Sequence, residues 1–136
     1  MAKKETRKAR NLKNNRRRGN SYEVKIAKEL RELGFKGVVT SRSESKAMDD
    51  KKVDFIDTEN KLPVYLQAKK TIQTPNYLKI QSECPLKDKP FVIIWNSQKA
   101  TESTFRSLGE VAIIQKDFFY QLLKLYSENG NSNSNI

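Results

Sequence analysis

Histidine is absent from this chain, and cysteine occurs once, as Cys84. Those two facts remove a large part of enzyme chemistry. Without histidine there is no imidazole general base, no Ser-His-Asp triad, no Cys-His pair and no His-ligated zinc. A lone thiol also excludes a disulfide framework and a Cys-rich metal centre. Any metal must then be held by oxygen from Asp, Glu, Asn, Gln or backbone carbonyls, a donor set that favours Mg²⁺, Ca²⁺ or Mn²⁺. Long apolar runs are missing too. The longest covers residues 91–95, far short of the ~20 needed to cross a bilayer. The basic N-terminus is not followed by the apolar core of a secretion signal. A soluble, intracellular protein with no membrane partner is expected, and one unpaired cysteine agrees with a reducing compartment.

What the chain does have is positive charge. Its 136 residues, enough for one domain with a real core, carry 27 Lys+Arg against 16 Asp+Glu, a net charge of +11. Residues 1–18 hold nine basic residues and one acidic residue, so +8 of the +11 lies in that segment. It has too few apolar groups to offset its ordering entropy, and a disordered basic arm is expected. Such an arm, with Arg16, Arg17 and Arg18 at its end, suits phosphates, with affinity from counterion release. A solubilising tail, a targeting signal or an arm for acidic membranes would share its composition.

After the arm, Asn20 stands three residues before Glu23 like a capping box, and Ile26, Ala27, Leu30 and Leu33 recur at helical spacing up to Gly34. This predicts a helix over residues 21–34. A short β-rich run over 38–42 and a mobile polar loop over 43–52 follow. Residues 53–57 and 62–70 flank the polar turn 58–61, which predicts an antiparallel hairpin. Pro63 is tolerated at the start of its strand. Thr74-Pro75 predicts the cap and first turn of a helix reaching about residue 83. Residues 91–95 and 111–115 predict strands buried on both faces, with 96–110 ambiguous between them. Asp117 is expected to cap a last helix with Phe118, Phe119, Leu122, Leu123 and Tyr126 on its apolar face. An Asn/Ser-rich disordered tail closes the chain over 129–136. One domain over residues 19–128 is expected, of α/β class, with a mixed central sheet flanked by helices.

Alternation in this pattern brings polar groups together. In Leu66-Gln67-Ala68-Lys69, the period of two puts Gln67 and Lys69 on one face and Leu66 and Ala68 on the other. A hairpin centred on Asn60-Lys61 sets Asp54 across from Gln67. Glu23 belongs to the apolar stripe of the first helix, and an ionised carboxylate there costs several kcal/mol unless paired or bound to metal. Two carboxylates and a neutral oxygen are a fit for Mg²⁺, and with Lys69 beside them they match the needs of phosphodiester hydrolysis. Plainer readings stand alongside. Glu23 also fits a reciprocal cap partner, Asp54 and Lys69 a solvated cross-strand ion pair, and Gln67 an ordinary strand residue. Trp95 and Tyr77 suit base stacking or simple core packing.

Asp54, twelve intervening residues, then Gln67-Ala68-Lys69, with Glu23 on the preceding helix, resembles the PD-(D/E)XK nuclease superfamily. Within it, Arg18-Gly19-Asn20-Ser21-Tyr22-Glu23, Gly34-Phe35 and the 42–45 stretch resemble the Holliday-junction resolvases of archaea and phages, over residues 17–119. The resemblance implies a restriction-endonuclease-like core and a Mg²⁺-dependent endodeoxyribonuclease, with Mn²⁺ as a possible substitute. It implies that Glu23 and Asp54 are metal ligands, that Lys69 is the catalytic lysine, that Gln67 occupies the second acidic position and that Ala68 offers its backbone carbonyl. Ser43 or Ser45 would match a serine at the scissile strand. Gln67 departs from the common carboxylate and resembles the Gln-x-Lys of restriction-type members. Arg42, Lys46, Lys51, Lys52 and Lys70 flank the site and suit DNA phosphates or a solvated basic face.

The partner implied is branched or four-way-junction DNA, in a prokaryote or a phage-infected host, with a role in recombination. Two symmetric cuts imply a C2 homodimer, for which the Phe118 and Phe119 face is one candidate. The alternatives are a non-catalytic nucleic-acid-binding protein of the same fold, or a restriction or repair nuclease acting on linear duplex.

Overall fold

A computed structural model describes residues 7–44 and 46–132. The expected order of helices and strands is present, with two short helical turns added. Helix α1 (Arg7–Glu32) leads into β1 (Val38–Thr40), α2 (Ser41–Glu44), α3 (Lys46–Asp50) and β2 (Phe55–Asp57). Strand β3 (Tyr65–Thr71), α4 (Tyr77–Glu83), β4 (Phe91–Ala100), β5 (Phe105–Ile113) and α5 (Lys116–Ser132) complete the chain. The fold is mixed α/β. Strands β3, β4 and β5 form a mixed sheet in which β3 and β4 run parallel and β4 and β5 antiparallel, while β1 and β2 form a separate antiparallel ribbon.

Several boundaries differ from the sequence expectation, each for a local reason. Residues 7–18, part of the segment expected as a disordered arm, are helical in the structure and lengthen α1. No proline interrupts them, Arg, Lys, Leu and Ala are good helix formers, and an existing helix propagates more cheaply than a new one nucleates. Residues 1–6 lie outside the described residues. Asn20 is therefore inside the helix rather than at its cap. Leu33 lies past the end of α1 and is exposed.

The expected mobile loop contains α2 and α3. Ser41 explains the early end of β1: its N–H donates to the Asp54 carbonyl at 2.8 Å and its Oγ to the Val53 carbonyl at 2.6 Å, turning the chain and fixing the approach to Asp54. The helix expected from Thr74 starts two residues later, because Asn76 caps it by accepting from the Lys79 N–H. The ambiguous stretch 96–110 is a β-hairpin, closed by bonds between Thr101 and Thr104 and kinked by a register shift at Ser97/Gln98. Residues 129–132 extend α5 and 133–136 lie outside the described residues.

The predicted 53–70 hairpin does not form as a ladder. Strand β2 pairs with β1 and strand β3 with β4. The Asp57 carboxylate gathers the N–H groups of Glu59, Lys61 and Leu62, holding a wide loop, and Pro63 has no N–H to give a ladder. One backbone–backbone bond joins the two units beside the site, from Asp54 N–H to the Leu66 carbonyl at 2.9 Å.

Two apolar clusters hold these elements. Tyr22, Ile26 and Ala27 of α1 pack with Val38, Phe55, Leu62, Leu66 and Val92 on one side of the sheet. Val53, Cys84, Phe91 and Ile93 pack on the other, with Tyr77 and Trp95 against them. The two aromatic side chains weighed for base stacking thus serve packing. The residues that flank Asp54 and Gln67 in sequence are core residues, so burial of Val53, Phe55 and Leu66 draws the polar pair inward with them.

Candidate functional site

Asp54, Gln67 and Glu23 are only 8%, 6% and 6% exposed, a degree of burial that ordinary polar surface residues do not reach. All three line one cleft of about 850 Å³, together with Gly19, Asn20, Arg42, Ala68, Lys69 and Lys70. The four residues expected to share a site are brought together. The cross-strand geometry anticipated for Asp54 and Gln67 is reached without a ladder: the Asp54 N–H bonds to the Leu66 carbonyl, and its Oδ2 accepts the Ala68 N–H at 2.8 Å. These two bonds straddle Gln67. Ala68 therefore engages the site through its N–H.

Charge in the cleft is unbalanced. Burial, then the negative field of Glu23, pushes the Asp54 carboxyl up to about 7, against the opposing Ala68 N–H bond. Burial also raises Glu23, and Arg42, whose Nη2 lies 3.1 Å from Glu23 Oε1, offsets part of that. The Arg42 side chain is half exposed and competes with water for the same bond. Lys69 draws both carboxyls downward and Asp49 of α3 drives both upward. Two buried carboxyls facing one another in this way are stabilised as anions by a cation between them.

Two oxygens sharpen the picture. Gln67 Oε1 and Asn20 Oδ1 are fully buried and accept no hydrogen bond. Buried acceptors without donors cost about 1–3 kcal/mol each, and both belong to residues lining the cleft. With Glu23 and Asp54 they make an all-oxygen set of the kind hard divalent cations take. The described residues contain no group of three or more His, Cys, Asp or Glu side chains placed to hold a metal. A set of two carboxylates and neutral oxygens is a different composition, of the donor type that could hold Mg²⁺.

Other expected site residues sit apart. Ser43 is exposed and spends its Oγ on the Thr40 carbonyl at 2.9 Å, within the turn that starts α2. Ser45 lies outside the described residues. Lys46, Lys51 and Lys52 do not line the cleft, whereas Arg42 and Lys70 do. Arg16, Arg17 and Arg18 belong to α1 directly before Gly19, so they stand next to the cleft along the helix. Sequence reasoning missed Asn20, Ser41 and Asp49 as parts of the site. The Asn20 and Glu23 spacing was visible, and in a helix it puts both on one face. A capping role accounted for it equally well.

Comparison with known proteins finds no matching family model, no matching curated protein and no matching solved structure. Among the described residues no helix is long and apolar enough to cross a membrane.

Proposed function

We propose that this protein is a divalent-metal-dependent DNA endonuclease with a restriction-endonuclease-like core, acting on branched DNA such as a four-way junction. The observation that carries the reading is the buried, acceptor-only cluster of Glu23, Asp54 and Gln67 Oε1 beside Lys69, in a chain of net charge +11. Glu23, Asp54 and Gln67 would hold Mg²⁺ or Mn²⁺, with the Ala68 carbonyl as a further candidate. When bound, the ion supplies Lewis-acid polarisation of the phosphoryl group and a more acidic water.

The remaining work falls to the chain's own residues. Lys69 projects a cation beside the two carboxylates, where it stabilises negative charge growing on the phosphate oxygens. Arg42 and Lys70, at the cleft wall, hold the flanking phosphates, and the basic half of α1 supplies affinity that is independent of sequence. Asp54 is held in place by Ala68 N–H and by the Ser41 bonds on either side of its peptide unit, so its carboxylate is set before substrate arrives. Two-fold symmetric cutting of a junction calls for a pair of subunits.

Gln67 supports a second reading. A carboxamide brings no negative charge, and a site with one carboxylate fewer binds metal less tightly, as a DNA-binding module that does not cleave would. The test is cleavage of a labelled four-way junction and of linear duplex of matched sequence, with Mg²⁺, Mn²⁺ or EDTA and with Asp54→Asn as control. Paired symmetric nicks on the junction, lost in EDTA and in Asp54→Asn, are the expected result. Metal-dependent cuts in linear duplex alone would make it a restriction or repair nuclease. Binding of either DNA without cleavage would make it a binding module.

A further inference from the structure

The cleft that holds the acidic cluster is larger than the cluster needs. An ion with six waters fills roughly 200 Å³ at about 30 Å³ per water, against a cleft volume of about 850 Å³. Its lining also changes character. Glu23, Arg42, Asp54, Lys69 and Lys70 supply its charged side chains, and from residue 71 onward the lining is neutral, with Ile72, Gln73, Pro75, Ile80, Gln98 and Phe105 among it. Gln98 and Phe105 belong to the hairpin of β4 and β5, and neither has a part in the metal site.

Strand register places this neutral end. Lys70 pairs with Asn96 on β4, and across the hairpin Gln98 pairs with Ser107 and Ala100 with Phe105. Paired residues share a face and alternate residues return to it, so Lys70, Asn96, Gln98, Ser107 and Phe105 lie on one face of the sheet. Lys69 is level with Trp95, three residues before Gln98 on β4. At about 3.3 Å per residue that separation is on the order of 10 Å, close to the reach of one nucleotide from its phosphate to the far edge of its base.

The amide at this end is set in advance. Gln98 is 5% exposed, and its Nε2 donates to Asn96 Oδ1 at 2.7 Å, an oxygen that also accepts from Ser107 Oγ at 2.6 Å. With Nε2 engaged, what Gln98 offers the cleft is its oxygen, an acceptor. The register shift at Ser97/Gln98, which skips Leu108, falls at this residue, and bulges of this kind re-aim side chains beside functional sites. Phe105, 42% exposed, adds an aromatic ring to the same wall. A ring face and a fixed acceptor, with no cation, suit the base of a nucleotide rather than its phosphate.

We propose that the neutral end of the cleft holds one unpaired nucleobase, from the nucleotide next to the phosphate at the acidic cluster, with its face on Phe105 and an amino edge on the Gln98 oxygen. This rests on the reading above only in that nucleic acid occupies the cleft; it does not require cutting. In a duplex the base is stacked and paired, and bringing it out is least costly where it is already unpaired. The DNA favoured is therefore one with an unpaired nucleotide at the branch. Cytosine and adenine present an amino donor on the edge where thymine presents an oxygen, so an acceptor at Gln98 selects cytosine and adenine over thymine.

The test is fluorescence anisotropy of the full chain, with Ca²⁺ to neutralise the acidic cluster, on three labelled strands of ten units: all deoxycytidine, all thymidine, and an abasic strand of the same deoxyribose phosphates. The cytidine strand is expected to bind about tenfold tighter than the abasic one, the contribution of one stacked base, and about fivefold tighter than the thymidine strand, the scale of one hydrogen bond. Phe105→Ala is expected to remove the advantage over the abasic strand, and Phe105→Trp to keep it. Gln98→Met, which fills the same space without the amide, is expected to bring cytidine and thymidine together while leaving the advantage over the abasic strand. Equal binding of all three strands by the parent chain means phosphate contacts alone and overturns the proposal, as does a base preference that Phe105→Ala and Gln98→Met leave unchanged. Because the readout is binding, a chain that shows these preferences yet cuts no DNA in Mg²⁺ refutes the nuclease reading and leaves this one intact.

Discussion

With its carboxyl held up to about 7 by burial and by Glu23, Asp54 keeps a proton in the folded protein over a pH interval in which the unfolded chain has released it. The native state then binds more protons than the unfolded state, so stability is fullest below about pH 4 and is lost as pH rises through 7. Without metal, the contribution of Asp54 is therefore a thermal midpoint that falls across that window. Asp54→Asn is expected to flatten the fall and to stabilise the metal-free protein near pH 8 by about 1–3 kcal/mol, because Asn still accepts the Ala68 N–H without a buried charge. Melts in EDTA across the pH range check this, and a parent chain with no added slope over the mutant refutes it. At the same scale, Gln67→Glu adds the charge the site lacks. Mg²⁺ affinity measured by calorimetry is expected to rise about tenfold, or about 1.4 kcal/mol, while the metal-free protein loses stability. Lys69→Ala is expected to leave DNA binding nearly intact and to reduce single-turnover cleavage at least a hundredfold, the scale of one lost charge-stabilising group.

Among elements, α1 does two jobs along one axis. Its second half packs through Tyr22, Ile26 and Ala27 and presents Asn20 and Glu23 to the cleft, while its first half carries the basic side chains. Gly19 divides them. A Cβ there meets nothing within 4 Å, so Gly19→Ala is expected to stabilise the helix by about 0.8–1 kcal/mol and to raise the thermal midpoint by a few degrees in a calorimetric scan. Much of this level was legible in the sequence. Helical spacing at Ile26, Ala27 and Leu30 and continuous apolarity over 91–95 are signals strong enough to survive tertiary context. Helical spacing put Glu23 on the buried stripe and alternation put Gln67 and Lys69 on one face, whereas the hairpin expected to bring Asp54 beside them is replaced by two other strand pairings. What was not legible depends on competition for hydrogen bonds. Nothing in the residues 53–70 announces that the Asp57 carboxylate will take three N–H groups and widen the turn, or that Ser41 will end β1 by bonding to 53 and 54. The polarity of residues 43–52 hid α2 and α3 for the same reason: short helical turns held by local bonds leave no periodic trace.

At the scale of the molecule, charge is partitioned. Residues 1–18 hold +8 of the net +11, whereas β5 and α5 are neutral and apolar. Deleting residues 2–18 is expected to weaken DNA binding uniformly across sequences and to reduce the slope of log affinity against log salt. Filter-binding titrations at several salt concentrations check it, and an unchanged slope would remove that segment from the interface.

The one thiol of the chain gives the fold a clock of its own. Cys84 is 1% exposed and sits in the cluster that packs beneath β4, so a thiol reagent reaches it only when that side of the sheet opens. Its labelling rate therefore counts opening events, and comparing that rate with and without Mg²⁺ or DNA measures how far occupancy of the cleft quiets the cluster around Cys84, which shares Ile80 with the cleft wall. The same inaccessibility leaves an introduced surface cysteine as the single fast-reacting position, ready for a fluorophore that reports occupancy of the cleft as it happens.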